Sequence, residues 1–229
     1  MRNFILMLVL FCTSSSWAQE IKLLDSDFND YIPLLKATGY EVFSFDISAL
    51  KDKTYKIVYT TREYKHGEFI EGSEKEGMYF SNRVMISDFN ESDQKNILEK
   101  GTAYDAEKGV YQLAERINFG FMPIKSDSIR PINVNVPNIM GFGASLNLHS
   151  IEAPNYGKRY AYELRPIDSK DIKIGDYTPL LLYGSFWYDE QFKIFRFCGE
   201  NKFSPELNTS NTLKHVPHFY TIGIKVLEE

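Results

Sequence analysis

"FYTIGIKVL", Phe219 to Leu227, alternates without a break. Tyr220, Ile222, Ile224 and Val226 fall on one parity, and Thr221, Gly223 and Lys225 on the other. Successive side chains of a strand point to opposite faces, so the stretch predicts a strand with one apolar face. "INVNV" repeats the pattern, with Ile132, Val134 and Val136 opposed to Asn133 and Asn135. "TYKIVYTTREY" (Thr54 to Tyr64) is rich in β-branched and aromatic residues, and His66-Gly67 suits a turn before Phe69 and Ile70 return. "MYFSNRVMIS", "VYQLAERINFGF" and "KRYAYEL" are further strand candidates.

Helical signals are few. "DSDFNDYIPLLKATG" has an Asp or Ser to cap its start and Gly39 to stop it, with Pro33 expected to interrupt it. "SDQKNILEKG" offers Ser92 as N-cap and Gly101 as C-cap. The stretch from Pro123 to Pro154 holds four of the nine prolines and is expected to be strands joined by irregular loops. Short strands, turn signals and one or two short helices predict an all-β, mainly antiparallel fold, a β-sandwich or barrel-like.

The chain opens "MRNFILMLVLFCTSSSWAQE". Arg2 is a short positive region, and the apolar run from Phe4 to Cys12 is too short for a spanning helix, which needs about 20 residues. Ser16-Trp17-Ala18 places small residues around a cut before Gln19, so residues 1–18 read as a secretory signal peptide and residues 19–229 as a single β-rich domain. The alternative, acylation of Cys12, is disfavoured by the bulk of Phe11 before it. No other run is long enough for a transmembrane segment. The chain carries 26 basic and 31 acidic residues, and removing Arg2 takes the net charge from −5 to −6. That balance argues against nucleic acid as a partner. Loss of Cys12 leaves Cys198 alone, so no internal disulfide can form. Secretion without disulfides fits the periplasm or cell surface of a diderm bacterium. Two sequons, Asn90-Glu91-Ser92 and Asn208-Thr209-Ser210, matter only in a eukaryotic host.

"YGSFWYDEQFKIFRFC" (Tyr183 to Cys198) is the most aromatic stretch. A four-residue loop, Tyr188 to Gln191, would pair Trp187 with Phe192, Ser185 with Ile194, Tyr183 with Arg196 and Leu181 with Cys198. Gly184 would then make room for Phe195, and Cys198 would be a buried, inert thiol. The body of this hairpin reads as core. Its tip, Trp187, Tyr188 and Phe192, is the expected ligand-binding surface.

Other motifs read as structure. "DFNESDQKNILE" (Asp88 to Glu99) resembles a calcium loop, but Asp93 stands where the sharp turn wants Gly, so a capped helix is expected. His215 and His218 of "HVPH" lack further ligands nearby, His66 sits in a turn and His149 on a polar strand edge, so no metal site and no cofactor are expected. "GFGAS" lacks the glycines and serine spacing of known elbows. "EYKHGEFIEGSEKEG" reads as a solvated hairpin. No catalytic set is recognisable.

"GYEVFSFDISALKDKTYKIVYTTREY" and "HFYTIGIKV", with the short leader, give a chain that resembles the small secreted proteins of unknown function of gut Bacteroidetes. The resemblance implies an envelope protein with a β-rich fold and transfers no active site. The expected function is a secreted, non-catalytic binding or structural module of a bacterial envelope, with an envelope component or glycan as partner. The alternatives are a glycan-directed hydrolase with unidentified carboxylates and a lipid carrier with an apolar cavity.

Overall fold

A computed structural model of the chain describes residues 25–229 except 26, 125–127, 154–155, 170 and 198–200. The predicted leader and Cys198 lie outside the described residues. By its contacts the chain divides into residues 1–34 and residues 35–229, and the second unit carries the strands. Two α-helices are described, α1 (Phe28–Ala37) and α2 (Glu91–Glu99). None of the described helices is long and apolar enough to cross a membrane. The strands are β1 (Glu41–Asp46), β2 (Tyr55–Lys65), β3 (Glu68–Phe69), β4 (Lys75–Ser81), β5 (Arg83–Met85), β6 (Val110–Leu113), β7 (Arg116–Phe121) and β8 (Ile129–Val136). They continue with β9 (Met140–Asn147), β10 (Ile151–Ala153), β11 (Gly157–Arg159), β12 (Tyr162–Pro166), β13 (Tyr177–Ser185), β14 (Trp187–Asp189), β15 (Ile194–Arg196) and β16 (Phe219–Glu228).

Two antiparallel sheets dominate. One has the order β1-β7-β8-β9; the other runs β12-β13-β16-β2, with β3 and β4 both pairing with β2. The fold is thus all-β and sandwich-like, as the alternation predicts. Tyr220, Ile222, Ile224 and Val226 of β16 are buried beside Ile57 and Tyr59 of β2 and Leu181 and Tyr183 of β13. Facing them are Ile117, Phe119 and Phe121 of β7 and Ile132, Val134 and Val136 of β8. Each such side chain contributes about 1.5–3 kcal/mol by leaving water.

The outer face of the larger sheet is covered as well. Leu182 and Phe219 form a second buried cluster with Ile167, Phe203, Leu207, Leu213 and Val216. The backbone approaches closely here. Where β13 bulges between Pro179 and Leu181, a Cβ on Gly223 would lie 2.1 Å from the carbonyl oxygen of Thr178.

The turns are local chemistry. His66 and Gly67 both take positive φ between β2 and β3, as the "HG" reading predicts. Gly39 and Gly101 follow the two helices at φ 88° and 62°. Asn82, fully buried after β4, holds three backbone groups. Its Oδ1 accepts from the Tyr55 N–H at 2.8 Å, and its Nδ2 donates to the carbonyls of Leu50 (2.7 Å) and Lys53 (3.0 Å).

Three expectations are corrected. Helix α1 runs through Pro33; none of its residues is buried, so the carbonyl that proline cannot serve stays in water. Asn90, not Ser92, caps α2, because Asn90 and Asp93 cap each other: Asn90 Oδ1 accepts from the Asp93 N–H at 3.0 Å, and Asn90 Nδ2 donates to Asp93 Oδ2 at 2.8 Å.

The third concerns the aromatic stretch. It does not fold back on itself from Tyr183. Strand β13 ends at Ser185 and lies between β12 and β16, so Tyr183 pairs with Leu164 and Tyr220. A separate short hairpin follows, with Trp187 opposite Arg196, Tyr188 opposite Phe195 and Asp189 opposite Ile194. Its loop has four residues as expected, but displaced to Glu190–Lys193. The Asp189 carboxylate accepts from the Phe192 N–H at 3.0 Å and pairs with Arg196 at 3.0 Å, while Lys193 takes φ 53°. Gly184 does make room for an aromatic ring, but the ring is that of Phe197, 2.9 Å from where a Cβ would stand.

Candidate functional site

On the inner face of the larger sheet the apolar stripe ends in polar groups. Along β16 the parity Val226, Ile224, Ile222, Tyr220 continues to His218; along β2, Ile57 and Tyr59 lead through Thr61 to Glu63. Glu63 lies opposite Tyr220 in the register. Both side chains are held at one end of the sandwich, His218 nearly buried and Glu63 mostly so.

His218 Nε2 is 2.8 Å from Glu63 Oε1, and its Nδ1 is 2.8 Å from the Tyr162 hydroxyl. Its backbone is fixed by Ser185, whose Oγ accepts the His218 N–H at 3.2 Å and whose own N–H donates to the His218 carbonyl at 2.9 Å. His149, just beyond β9 and more than half exposed, brings its Nε2 to 3.2 Å from the same Glu63 oxygen. The two imidazoles lie against each other with centroids 4.1 Å apart and planes inclined by 36°. The Tyr162 hydroxyl accepts from the His149 N–H at 2.9 Å and lies 3.2 Å from the His149 carbonyl.

Burial holds the His218 pKa below the ordinary imidazole value, opposed by the hydrogen bond to Glu63, and the neighbouring His149 lowers it further. A neutral His218 fits the network: Nδ1 accepts from Tyr162 and Nε2–H donates to Glu63. Burial pushes the Tyr162 phenol up, so it stays protonated and serves as a hydrogen-bonding group rather than a nucleophile.

A second feature lies on the outer face. A groove of about 700 Å³ is lined by Arg62, Tyr64 and Tyr177, by the acidic Asp168, Asp171, Asp176 and Glu206, and by Lys173 and Lys202. Its floor is rigid. The Arg62 guanidinium lies 4.3 Å from the Tyr177 ring centre and donates to Glu74 at 2.6 Å, while the Tyr177 hydroxyl donates to Thr221 at 3.0 Å.

The predicted hairpin tip is divided. Trp187 is half-buried, packs on the outer cluster and stacks on His215 at 6.1 Å. Tyr188 contacts Phe195 and Tyr156. Phe192 is exposed, with the Arg196 guanidinium 4.5 Å above its ring. Trp187 and Phe192 do not face each other. Replacing Phe192 by Ala is therefore expected to change stability by no more than about 0.5 kcal/mol. Phe197→Ala, which uncovers Gly184, should cost about 2–3 kcal/mol, below the range for a fully buried ring. Urea denaturation of the two variants measures the difference.

The histidines of "HVPH" do not converge: His215 meets Trp187, and His218 meets Glu63. The acids of the calcium-like stretch serve locally. Asp88 accepts from the Met85 N–H at 2.9 Å, and Glu99 pairs with Lys95 at 3.6 Å. Spacing along the chain did not reveal the cluster at Glu63, His149 and His218. The available signal was parity: His218 continues the apolar stripe of β16, and Glu63 continues the stripe of Ile57, Tyr59 and Thr61 in β2.

The chain belongs to a family described as a domain of unknown function (DUF5041), whose model matches residues 10–228. No curated protein and no solved structure matches it.

Proposed function

We propose that the protein is an exported, non-catalytic binding module of a bacterial envelope, and that its ligand is a glycan held in the outer-face groove. The observation that carries this reading is the lining of the groove. Its volume suits a small-molecule or oligosaccharide site. Carboxylates, amines and hydroxyls line it together with Tyr64. Each sugar hydroxyl both donates and accepts, and a wall of carboxylates, amines and hydroxyls meets both demands. A lining so rich in charge suits a polyhydroxylated ligand better than a lipid tail. Phe192, exposed at the hairpin tip, is the second proposed contact.

The test is a glycan array probed with the purified chain. Retention of a defined oligosaccharide class is expected. Asp171→Asn together with Lys173→Ala should abolish it without moving the melting temperature, since both side chains are exposed. Failure to retain any glycan, or retention indifferent to those substitutions, would overturn the reading.

A further inference from the structure

We propose that Glu63, His149 and His218 form a binding site for a divalent transition-metal ion, zinc being the ion whose preferences the three ligands meet best. Two imidazole nitrogens and one carboxylate oxygen are a donor set that zinc and its neighbours in the first transition row accept, whereas calcium and magnesium prefer oxygen alone.

The three donor atoms already converge. Glu63 Oε1 is 2.8 Å from His218 Nε2 and 3.2 Å from His149 Nε2, and all three atoms lie within 4.8 Å of one another. Ligands about 2.0–2.2 Å from a tetrahedral zinc ion stand roughly 3.3–3.6 Å apart. Small side-chain rotations therefore bring the set to coordination distance, with no change in the strands that carry Glu63 and His218. The exposed face of His149 gives access to the ion and leaves its remaining position to water.

The surroundings of the ligands support the assignment independently. Histidine ligands generally have their second nitrogen engaged by a fixed partner. Here the Tyr162 hydroxyl does this for His218, 2.8 Å from its Nδ1, and the same hydroxyl holds the backbone of His149. When the ion takes His218 Nε2, the imidazole proton resides on Nδ1 and is donated to Tyr162. Tyr162 then turns its own proton to the His149 carbonyl, 3.2 Å away. This tautomer change leaves His218 neutral and every partner satisfied.

Electrostatics points the same way. Among the described residues, the basic side chains in contact with the Glu63 carboxylate are these two imidazoles alone, and His218 meets it as a neutral donor. A largely buried carboxylate with no lysine or arginine beside it lacks a permanent counter-charge. A bound dication supplies one.

The experiment uses the full chain stripped with EDTA and titrated with Zn²⁺ by calorimetry, and with Co²⁺ by visible absorption. Expected are one ion per chain, the absorption bands of low-coordinate Co²⁺, their loss on adding Zn²⁺, and a melting temperature that rises with free metal. Millimolar Mg²⁺ or Ca²⁺ should not displace the ion. His149→Ala removes an exposed ligand and Glu63→Gln keeps the shape of the side chain; each should weaken binding at least tenfold with the chain still folded by circular dichroism. Tyr162→Phe should keep the stoichiometry at one and weaken affinity about tenfold or more, the effect of losing an outer-shell partner. Absence of saturable binding to the folded, stripped chain would overturn the proposal. So would binding that His149→Ala and Glu63→Gln leave unchanged.

Discussion

Gly223→Ala is expected to destabilise the protein by about 3 kcal/mol or more, at the upper end of what overpacking a tight interior costs. Strand propensity alone has the opposite sign, since a glycine inside a strand is worse than alanine by roughly 0.5–1 kcal/mol. The steric effect wins because the new methyl meets backbone. It would stand 2.1 Å from the Thr178 carbonyl oxygen and 2.9 Å from Pro179 Cα, and neither can rotate away. Relief requires opening the β13–β16 pairing at its bulge, in the middle of the larger sheet. Gly143→Ala in β9 is the control. Nothing lies within 4 Å of its Cβ position, so it should be neutral or slightly stabilising. Urea unfolding of both variants, followed by far-UV circular dichroism, decides the matter. Equal midpoints for the two would refute the account.

Asn82→Leu should be comparably severe, at about 4 kcal/mol, although the side chains are of similar size. It leaves the Tyr55 N–H and the carbonyls of Leu50 and Lys53 without their partner inside the protein. An unsatisfied buried group costs about 1–3 kcal/mol. Asn82→Asp separates the contributions. It keeps an acceptor for Tyr55 but turns a carboxylate toward two carbonyls, an arrangement that only protonation relieves. Its deficit relative to the natural protein should therefore shrink as pH falls, while that of Asn82→Leu should stay constant. A destabilisation below about 1 kcal/mol for Asn82→Leu would show that water replaces the lost partners.

Much of the architecture was legible because strand faces obey a period of two. The stripes of β16 and of Ile132, Val134 and Val136 in β8 are buried where parity places them, and the glycines after both helices take the positive φ expected of stops. The pairing of the aromatic stretch was not legible. Reading Tyr183 against Arg196 assumes that a strand pairs with its sequence neighbour. Tyr183 instead pairs with Leu164 and Tyr220, on strands that bury it from both sides. The loop position depended on one Asx turn at Asp189 and one lysine in a left-handed conformation, neither of which has a strong compositional signature. The His–Glu cluster escaped for a related reason. Glu63 and His218 are 155 residues apart, and only the register of β2 with β16 brings them together.

That register has a consequence during synthesis. In chain order β16 is the last of the described strands, yet it sits between β2 and β13 in the larger sheet. Two strands translated earlier must wait for it, and the β2 contact closes a loop spanning nearly the whole of the second unit. Pairing over such separations is slow, because chain entropy is lost before the contacts form. Until β16 pairs, β2 and β13 each present an unsatisfied strand edge, and the apolar side chains that β16 neighbours stay uncovered. A fragment ending before Phe219 lacks the strand between β2 and β13 and is expected to be more open to aggregation and proteolysis than the full chain.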